Sequence, residues 1–442
     1  MDKENKKKKG YFILFLNILI LIFLLTAGMT SNVCTLLCAI FISIMFFFQT
    51  PNEITSELFL FYPFYNLFKF GGVGISYYNI ILAAAVLSMI LKKINRGTIK
   101  KIGLIILFCL YMIIVNLIQQ NTLEVMTILG DYLIPFCLVI LVFSNKNEIS
   151  FKNVVIYYSI GLVISSLCGL GIIPLKNLNY YISPVHYRFG GIRLMRLQGL
   201  VGNPNYFSLD LNMAISCILI SLFDLNKKIY KIILILILII FGVATLSKSF
   251  ILALLISIIF ILFFNIKKIN ASTIFFIIIP ILFLCVFFAT KSNYFSLLIN
   301  RLAEGGGDID SFTSSRSTIW FAYIEYIFSN LDVFFIGAGI SSNYLIVNST
   351  MHAMHNTYIE IIYYLGIFGF IFLFFMIKNS GMIPKERIAK KNYLPLIILC
   401  VRLFAINIFA REAFCICIIL VGLAINSSKG QEKGDKNILY NN

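Results

Sequence analysis

Residues 231–265 read KIILILILIIFGVATLSKSFILALLISIIFILFFN. Two apolar runs, 231–246 and 249–265, are separated by a short turn that contains Lys248. A membrane-spanning helix needs about 20 predominantly apolar residues, and each run comes close to that length. The stretch is therefore predicted to form two membrane helices joined by a tight turn.

The whole chain has the composition of a membrane protein. Of its 442 residues, 60% are hydrophobic and 12% are charged, whereas a soluble domain carries about 25% charged residues. A soluble fold could not bury that much apolar surface, so we expect lipid to cover it. No linker rich in Pro, Ser or Gly divides the chain, so residues 1–442 are predicted to form a single transmembrane domain.

Similar apolar runs recur along the chain and predict an all-α polytopic membrane protein with about 12–14 transmembrane helices. The predicted spans are 11–29, 33–48, 75–91, 102–118, 125–143, 154–173, 207–223, 231–246, 249–265, 273–290, 356–377, 393–410 and 413–426. The aromatic stretch 58–70, which contains Pro63, is either a short span or a re-entrant segment. The first run is interpreted as a membrane helix rather than a signal peptide, because no small-residue cleavage site follows it.

Loop charge predicts the orientation, because loops rich in lysine and arginine stay in the cytoplasm. The basic segments are 92–101, 227–231, 267–268 and 378–391. When these segments and both termini lie on the cytoplasmic side of the cell membrane, two long loops lie outside, 174–206 and 291–355. Helices need only short connections, so we expect the functional site on the outer face.

Arginine is distributed differently from lysine, and positive charge on the outer side opposes the orientation signal. Five arginines fall in the outer loops, and two more lie in or at the end of a predicted span: Arg188, Arg193, Arg196, Arg301, Arg316, Arg402 and Arg411. A guanidinium can bind phosphate oxygens through two parallel hydrogen bonds, which suits a pyrophosphate. The alternative is that these arginines contact lipid headgroups or snorkel to the interface. The net charge of +17 lies mainly in short loops and does not predict nucleic-acid binding.

All three histidines, His186, His352 and His355, also fall in the outer loops. Histidine titrates near neutral pH and can take a proton from a hydroxyl group. His352 and His355 are three residues apart, but no Cys, Asp or Glu stands beside them as a further ligand, so no metal site is predicted. The cysteines lie in apolar runs and indicate neither a disulfide framework nor a metal knuckle.

Two further segments of the outer side are candidates for a site. A turn rich in Gly, Asn and Pro precedes the span 207–223, and a helix after such a turn offers free N–H groups to an anion. Residues 314–320 are predicted to begin an amphipathic helix at the membrane surface, with a structural role as the alternative. Its predicted apolar face is Ile319, Trp320, Tyr323, Ile324 and Ile327. Asp131 and Lys248 lie at membrane depth or near its edge, where buried charges are costly and often functional.

Taken in order, these short motifs resemble the O-antigen polymerase and ligase superfamily across residues 196–370. The motifs are Arg196-x-x-Gly199-x-x-x-Asn203-Pro204-Asn205, Ser247-Lys248-Ser249, Arg316-x-x-x-Trp320, Gly337-x-Gly339 and His355-Asn356. One departure concerns Lys248, because the family commonly has arginine there, and a lysine cannot bind phosphate as a fork.

The resemblance implies metal-independent and cofactor-independent glycosyl transfer from undecaprenyl-diphosphate-linked oligosaccharide, with inversion, at the outer face of the membrane. It makes His355 the general base. The implied pyrophosphate-binding residues are Arg196, Arg316, Lys248, Arg193 and Arg301. Those that shape the site are Gly199, Asn203, Pro204, Asn205, Trp320, Gly337, Gly339 and Asn356. The implied partners are lipid-linked donor and acceptor, membrane lipids, a chain-length regulator and a flippase.

Three functions are compatible with these features. A polymerase would join lipid-linked repeat units into O-antigen or capsular polysaccharide, and it is the function we favour. A ligase would move the finished polymer to a lipid or wall acceptor. A flippase or transporter would show an internal repeat and acidic coupling residues at the midplane. No repeat is visible in the sequence, and Asp131 is the only clear acidic candidate.

Overall fold

A computed structural model describes residues 2–28, 31–68, 76–92, 95–121, 125–175, 182, 184–189, 192–221, 228–265, 316–340, 342, 344–347, 350–384, 389–409 and 411–427. Within these ranges the chain is mostly helical, in agreement with the predicted fold class. The predicted span 273–290 and Arg301 lie outside the described residues.

The helices follow the apolar runs of the sequence closely. They are α1 (Asp2–Phe23), α2 (Asn32–Phe48), α3 (Pro51–Phe61), α4 (Tyr77–Lys92), α5 (Arg96–Ile118), α6 (Val125–Ile128), α7 (Ile134–Ser144), α8 (Phe151–Gly169), α9 (Pro204–Ser221), α10 (Lys228–Ala244), α11 (Lys248–Asn265), α12 (Arg316–Ser329), α13 (Leu331–Ile336), α14 (Thr357–Asn379), α15 (Leu394–Leu403) and α16 (Glu412–Asn426). Short 3-10 or π-helical turns extend four of these elements and cover Leu24–Gly28, Tyr62–Phe68, Leu129–Leu133 and Lys390–Tyr393. Asp131 lies in the third of these turns and is partly buried.

Two small antiparallel hairpins were not predicted, and both lie in the segments predicted as long outer loops. The first pairs β1 (His186–Phe189) with β2 (Ile192–Met195), and the second pairs β3 (Ile346–Val347) with β4 (Thr350–Met351). They could not be predicted, because strands of two to four residues are too short to show a recognisable alternation of apolar and polar residues.

Among the described residues, three helices are long and apolar enough to cross a membrane by themselves, namely α5, α8 and α14. Several shorter apolar helices accompany them, and large apolar side chains such as Phe48, Leu91 and Phe263 are exposed on the outside of the bundle. An exposed apolar surface of this kind fits a lipid environment and identifies a membrane protein. The number of spans stays a prediction.

Residues 58–68 of the predicted aromatic stretch belong to a longer buried segment formed by α3 and the following 3-10 helix, and residues 69–70 lie outside the described residues. At one end of it, the Asn52 side chain accepts a hydrogen bond from the backbone N–H of Ser150 at 2.8 Å. At the other end, the Asn66 side chain donates to the backbone carbonyl of Leu200 at 3.2 Å. The choice between a short span and a re-entrant segment stays a prediction.

The predicted cytoplasmic loops meet at one end of the bundle. Lys101 Nζ donates to the carbonyl of Ser380 at 3.1 Å, and Lys146 Nζ donates to that of Gly381 at 2.9 Å. We call this the lysine-rich end. Leu197, next to Arg196, lies at the C-terminal end of α10, where its N–H donates to the carbonyl of Ala244 at 3.0 Å.

The predicted span 393–410 is wrong in its second half, because α15 ends at Leu403 and residues 404–409 are not helical. Side chains of α14 bond the backbone groups released by this break. Thr357 Oγ1 donates to the carbonyl of Ile406 at 2.7 Å, and Glu360 Oε2 accepts from the N–H of Phe409 at 3.0 Å. Hydropathy could not reveal the break, since irregular backbone is tolerated at membrane depth when protein groups satisfy it.

The Gly337-x-Gly339 motif docks on a kink in α14. Gly366 has φ 62° and interrupts that helix, and the N–H groups of Ala338 and Gly339 donate to the carbonyls of Tyr363 and Tyr364 at 2.7 and 3.2 Å. Gly337 itself has φ 94°, and a Cβ atom there would collide with the Tyr364 carbonyl. The motif therefore serves backbone packing, which fixes the kink of α14 against the loop before it.

Candidate active site

The turn before α9 is held in one shape by its own sequence. Gly199 has φ 53°, and a Cβ atom there would lie 2.5 Å from the ring of Phe207, so this position requires glycine. The Asn203 side chain accepts a hydrogen bond from the N–H of Asn205 at 2.8 Å, and Pro204 begins the helix. This arrangement orients Asn205 at the helix start.

Asn205 joins two of the predicted motifs. Its Oδ1 accepts a hydrogen bond from Arg196 Nη2 at 3.2 Å and another from Ser247 Oγ at 3.3 Å. Arg196 is 8% exposed, and its Nε donates to the carbonyl of Thr245 at 2.9 Å. Lys248 is partly buried and begins α11 directly after Ser247. The structure thus brings Arg196, Asn205 and the Ser-Lys-Ser turn together.

Arg402 lies at the centre of the same group, although it belongs to none of the predicted motifs. It is fully buried, and its guanidinium donates to the Asn205 carbonyl at 2.6 Å, to Ser208 Oγ at 2.6 Å and to Ser249 Oγ. Asp210, one turn further along α9, attracts it electrostatically. A buried charge needs such partners, so this arginine is held firmly in place.

Arg316 and His355 approach the group from the segment predicted as the second outer loop. Arg316 Nη1 donates to the carbonyl of Ala405 at 2.7 Å, and the N–H of Ala405 donates to the carbonyl of Arg402 at 2.9 Å. Burial, the positive charge of Arg316 and the neighbouring His352 together lower the pKa of His355 from 6.5 to about 4. His355 is therefore neutral at pH 7 and can accept a proton.

The backbone on either side of His355 is tightly held. Trp320 Nε1 donates to the carbonyl of Met354 at 2.9 Å. On the other side, Asn356 caps α14, because its Oδ1 accepts from the N–H groups of Tyr358 and Ile359 at 3.0 and 3.3 Å. His355 itself has φ 49°, a left-handed conformation that is uncommon outside glycine and is found at functional sites.

The predicted apolar face of α12 needs one correction. Ile319, Tyr323 and Ile327 are buried, and the Tyr323 hydroxyl donates to the carbonyl of His352 at 2.9 Å. Ile324 is 39% exposed and lies outside this face. A step of five residues from Ile319 turns the helix through about 500°, which carries Ile324 well away from the buried side.

Arg411 is a fourth arginine at this end. Its guanidinium carbon lies 4.4 Å from the ring centre of Tyr206, within the range of a cation–π contact. The Tyr206 hydroxyl donates to Asn407 Oδ1 at 2.8 Å and is within the electrostatic reach of both Arg411 and Arg316. We call Arg196, Arg316, Arg402 and Arg411 the arginine cluster.

Part of the candidate active site lies in a segment that matches a known protein family. Residues 233–374 match the O-antigen ligase family model. The predicted resemblance to the O-antigen polymerase and ligase superfamily is thereby confirmed. A search of curated proteins gave no match.

The O-antigen ligase match covers less than half of the chain, yet it contains most of the predicted motifs. Lys248, Arg316, Trp320 and His355 lie within it, whereas Arg196 and Arg402 lie on either side. The structure joins these three parts through Asn205 and Ala405.

The remaining predicted site residues are not all brought into this group. Arg193 lies on β2 directly opposite Arg188 of β1, in the hairpin that precedes Arg196. Within the described ranges, no group of three or more His, Cys, Asp or Glu side chains is placed to hold a metal ion. The roles assigned to the site residues stay predictions.

The sequence missed Arg402, Arg411, Tyr206 and Asn407 as members of one site. Two of them carried a usable signal, since an arginine at membrane depth is costly and marks a functional region. Tyr206 and Asn407 carried none, because a tyrosine near a span end and an asparagine in an apolar run have ordinary structural roles.

Proposed function

We propose that this protein transfers oligosaccharide from an undecaprenyl diphosphate carrier to an acceptor hydroxyl, and that the acceptor is a second lipid-linked repeat unit. The chain would then be a polysaccharide polymerase of the outer face of the cell membrane. The observation that carries the proposal is the meeting of Arg196, Arg316 and Arg402 around Asn205 and Ala405, with a neutral histidine beside Arg316. The family match supports glycosyl transfer as the reaction type.

The charge of the arginine cluster supports an anionic ligand. Asp210 acts electrostatically on Arg402, and Glu412 and Glu360 act on Arg411. Two of these carboxylates also accept hydrogen bonds elsewhere, Glu360 from the backbone N–H of Phe409 and Asp210 from the Tyr158 hydroxyl. Guanidinium groups bind the oxygens of a diphosphate in paired hydrogen bonds. Breaking the bond between the sugar and the phosphate leaves negative charge on the departing diphosphate, which fixed arginines stabilise.

The proposed reaction step needs only the donor, the acceptor, His355 and the arginine cluster. The acceptor oxygen attacks the anomeric carbon, the carbon–oxygen bond to the diphosphate breaks, and undecaprenyl diphosphate leaves with the electron pair. The acceptor proton passes to His355, which is neutral above its pKa of about 4. A single displacement of this kind inverts the anomeric carbon. It needs no nucleotide sugar and no metal.

The position of Arg316 links the base to the donor. Its positive charge is one cause of the low pKa of His355, so a diphosphate that neutralises Arg316 would raise that pKa. His355 would become the stronger base only when the donor is bound. This coupling would restrain proton abstraction in the absence of donor.

One experiment tests the function and separates polymerase from ligase, the second function favoured by the family description. Purified protein in liposomes receives the lipid-linked repeat unit alone, with and without EDTA. A polymerase forms a ladder of longer lipid-linked products in both conditions. A ligase forms product only after a separate lipid or wall acceptor is added. No transfer with either acceptor would contradict the proposal. A flippase supplying donor to the outer face and a chain-length regulator are the partners we propose.

A further inference from the structure

A buried polar cluster joins the first three helices, far in sequence from the arginine cluster. Glu57 on α3 is 1% exposed. Its Oε1 accepts a hydrogen bond from Asn17 Nδ2 of α1 at 2.9 Å and another from Gln49 Nε2, at the end of α2, at 2.7 Å. Because both amide nitrogens point at one carboxylate oxygen, the orientation of both amides is fixed.

Three oxygen atoms of this cluster have no hydrogen-bond partner in the described part of the chain. They are Glu57 Oε2, Asn17 Oδ1 and Gln49 Oε1, and all three are buried. Buried acceptors without a donor are costly, and three in one cluster are unusual. They come from α1, from the C-cap of α2 and from α3, so no single turn accounts for all three.

Among the described residues, no basic side chain pairs with Glu57. Glu53, one turn earlier, adds a second negative charge, and its own carboxylate accepts from the Thr50 backbone N–H at 2.7 Å. Lys92 is the nearby cation, but its ammonium donates to the carbonyls of Phe46 and Gln49 and to Ser88 Oγ at 2.9 Å. A buried carboxylate that pairs with no cation must be neutralised in some other way.

We infer that Asn17, Gln49 and Glu57 form a binding site for a monovalent metal cation, for which sodium is the probe. Hard oxygen ligands from one carboxylate and two amide carbonyls suit such an ion. The single negative charge balances one positive charge, whereas a divalent ion would leave an excess charge buried. A proton on Glu57 could satisfy Oε2 and one amide oxygen at most, but a metal ion can contact all three oxygens.

The site would serve as a clamp for the N-terminal helix. Asn17 lies on α1, and the Gln49 carbonyl beside the cluster contacts Lys92 at the C-terminal end of α4. An ion there would tie α1 to the ends of α2 and α3 at the lysine-rich end of the bundle. The inference does not depend on the proposed function, because no residue of the arginine cluster takes part.

The test compares thermal unfolding of the purified full-length protein in sodium chloride and in N-methyl-D-glucamine chloride of equal ionic strength. Sodium should raise the Tm of the wild type in a saturable way, by roughly 2–4 °C. Glu57→Gln should lose this response. Glu53→Gln is the matched control and should keep it, because its side chain still accepts from Thr50.

Two results would overturn the site. One is a wild-type Tm that is the same in both salts at every pH. If that Tm changes with pH but not with sodium, Glu57 binds a proton and not a metal ion. The other is a sodium response that persists in Glu57→Gln. If Glu57→Gln does not fold, the site is tested by the width of the sodium NMR signal. The wild type should broaden this signal, and Gln49→Leu should broaden it less.

Discussion

Arg402 Nη2 donates to the backbone carbonyl of Asn205 at 2.6 Å, while the side chain of Asn205 accepts from Arg196. One residue thus receives two arginines through different atoms, one from the start of the predicted motifs and one from a span near the C-terminus. This sets the separation of two positive charges that are more than 200 positions apart in the sequence. Arg196, which is 8% exposed, is thereby held in a fixed position relative to the fully buried Arg402.

Arg402→Lys should lower turnover by about 10²–10³-fold, because the single nitrogen of an ammonium group cannot replace both Nη1, which bonds Ser249, and Nη2, which bonds Asn205 and Ser208. Donor binding should weaken as well, since the diphosphate is present before and during the reaction. Turnover and donor affinity would be measured at equal protein levels. Arg96→Lys, at the start of α5, is the matched control and should behave as the wild type. Unchanged turnover in Arg402→Lys would show that the two-nitrogen guanidinium group of Arg402 is not needed for the reaction.

The pH profile should report the pairing of His355 with Arg316. His355 is competent when neutral, so kcat/KM should be retained above its pKa of about 4 and fall as the pH drops through that value. Arg316→Gln removes one cause of the low pKa, so the acid limb should move to higher pH, toward 6.5. An acid limb at the same pH in the wild type and in Arg316→Gln would show that Arg316 does not affect the pKa of His355.

Gly337→Ala should destabilise the protein by about 1–3 kcal/mol, because the new Cβ would meet the Tyr364 carbonyl in a left-handed backbone conformation. Gly103→Ala provides the comparison. No atom lies within 4 Å of the Cβ position there, so this helix substitution should be neutral or slightly stabilising. Thermal unfolding in detergent measures both variants. Equal Tm values would mean that the loop before α14 does not depend on its close approach to Gly366.

The orientation can be checked with single cysteines in a Cys400→Ser background, since Cys400 is the exposed cysteine of the described chain. Ser329, at the end of α12, and Asn147, between α7 and α8, are both exposed. We expect an impermeant thiol reagent to label Ser329→Cys in intact cells and Asn147→Cys only after lysis. The reverse pattern would invert the topology and exclude an outer-face site.

Much of the fold could be predicted from apolar runs, because a membrane helix needs a continuous stretch of fixed length. The turn and helix start at Gly199–Asn205 were also readable, since glycine, proline and asparagine have defined backbone roles. The break at 404–409 was not readable. Its backbone groups are satisfied by Thr357 and Glu360 from another helix, and such tertiary partners leave no trace in hydropathy.

The same limit applies to the candidate site. Arg196, Arg316 and His355 stood in recognisable motifs, but the partner that joins them, Arg402, looked like a costly charge in an apolar run. Only the folded chain puts its guanidinium against Asn205 and Ser249. The Glu57 cluster was missed for a similar reason, because its three oxygens come from α1, from the C-cap of α2 and from α3.

The most direct measurement of the proposed chemistry is chain extension by His355→Ala beside His352→Ala, with lipid-donor binding recorded for each. Both histidines lie in the same loop, but only His355 holds the left-handed backbone position before the cap of α14. We predict that His355→Ala binds donor as the wild type does and extends chains about 10²–10⁴-fold more slowly, while His352→Ala stays active. Wild-type extension by His355→Ala would contradict the account and remove histidine from the mechanism.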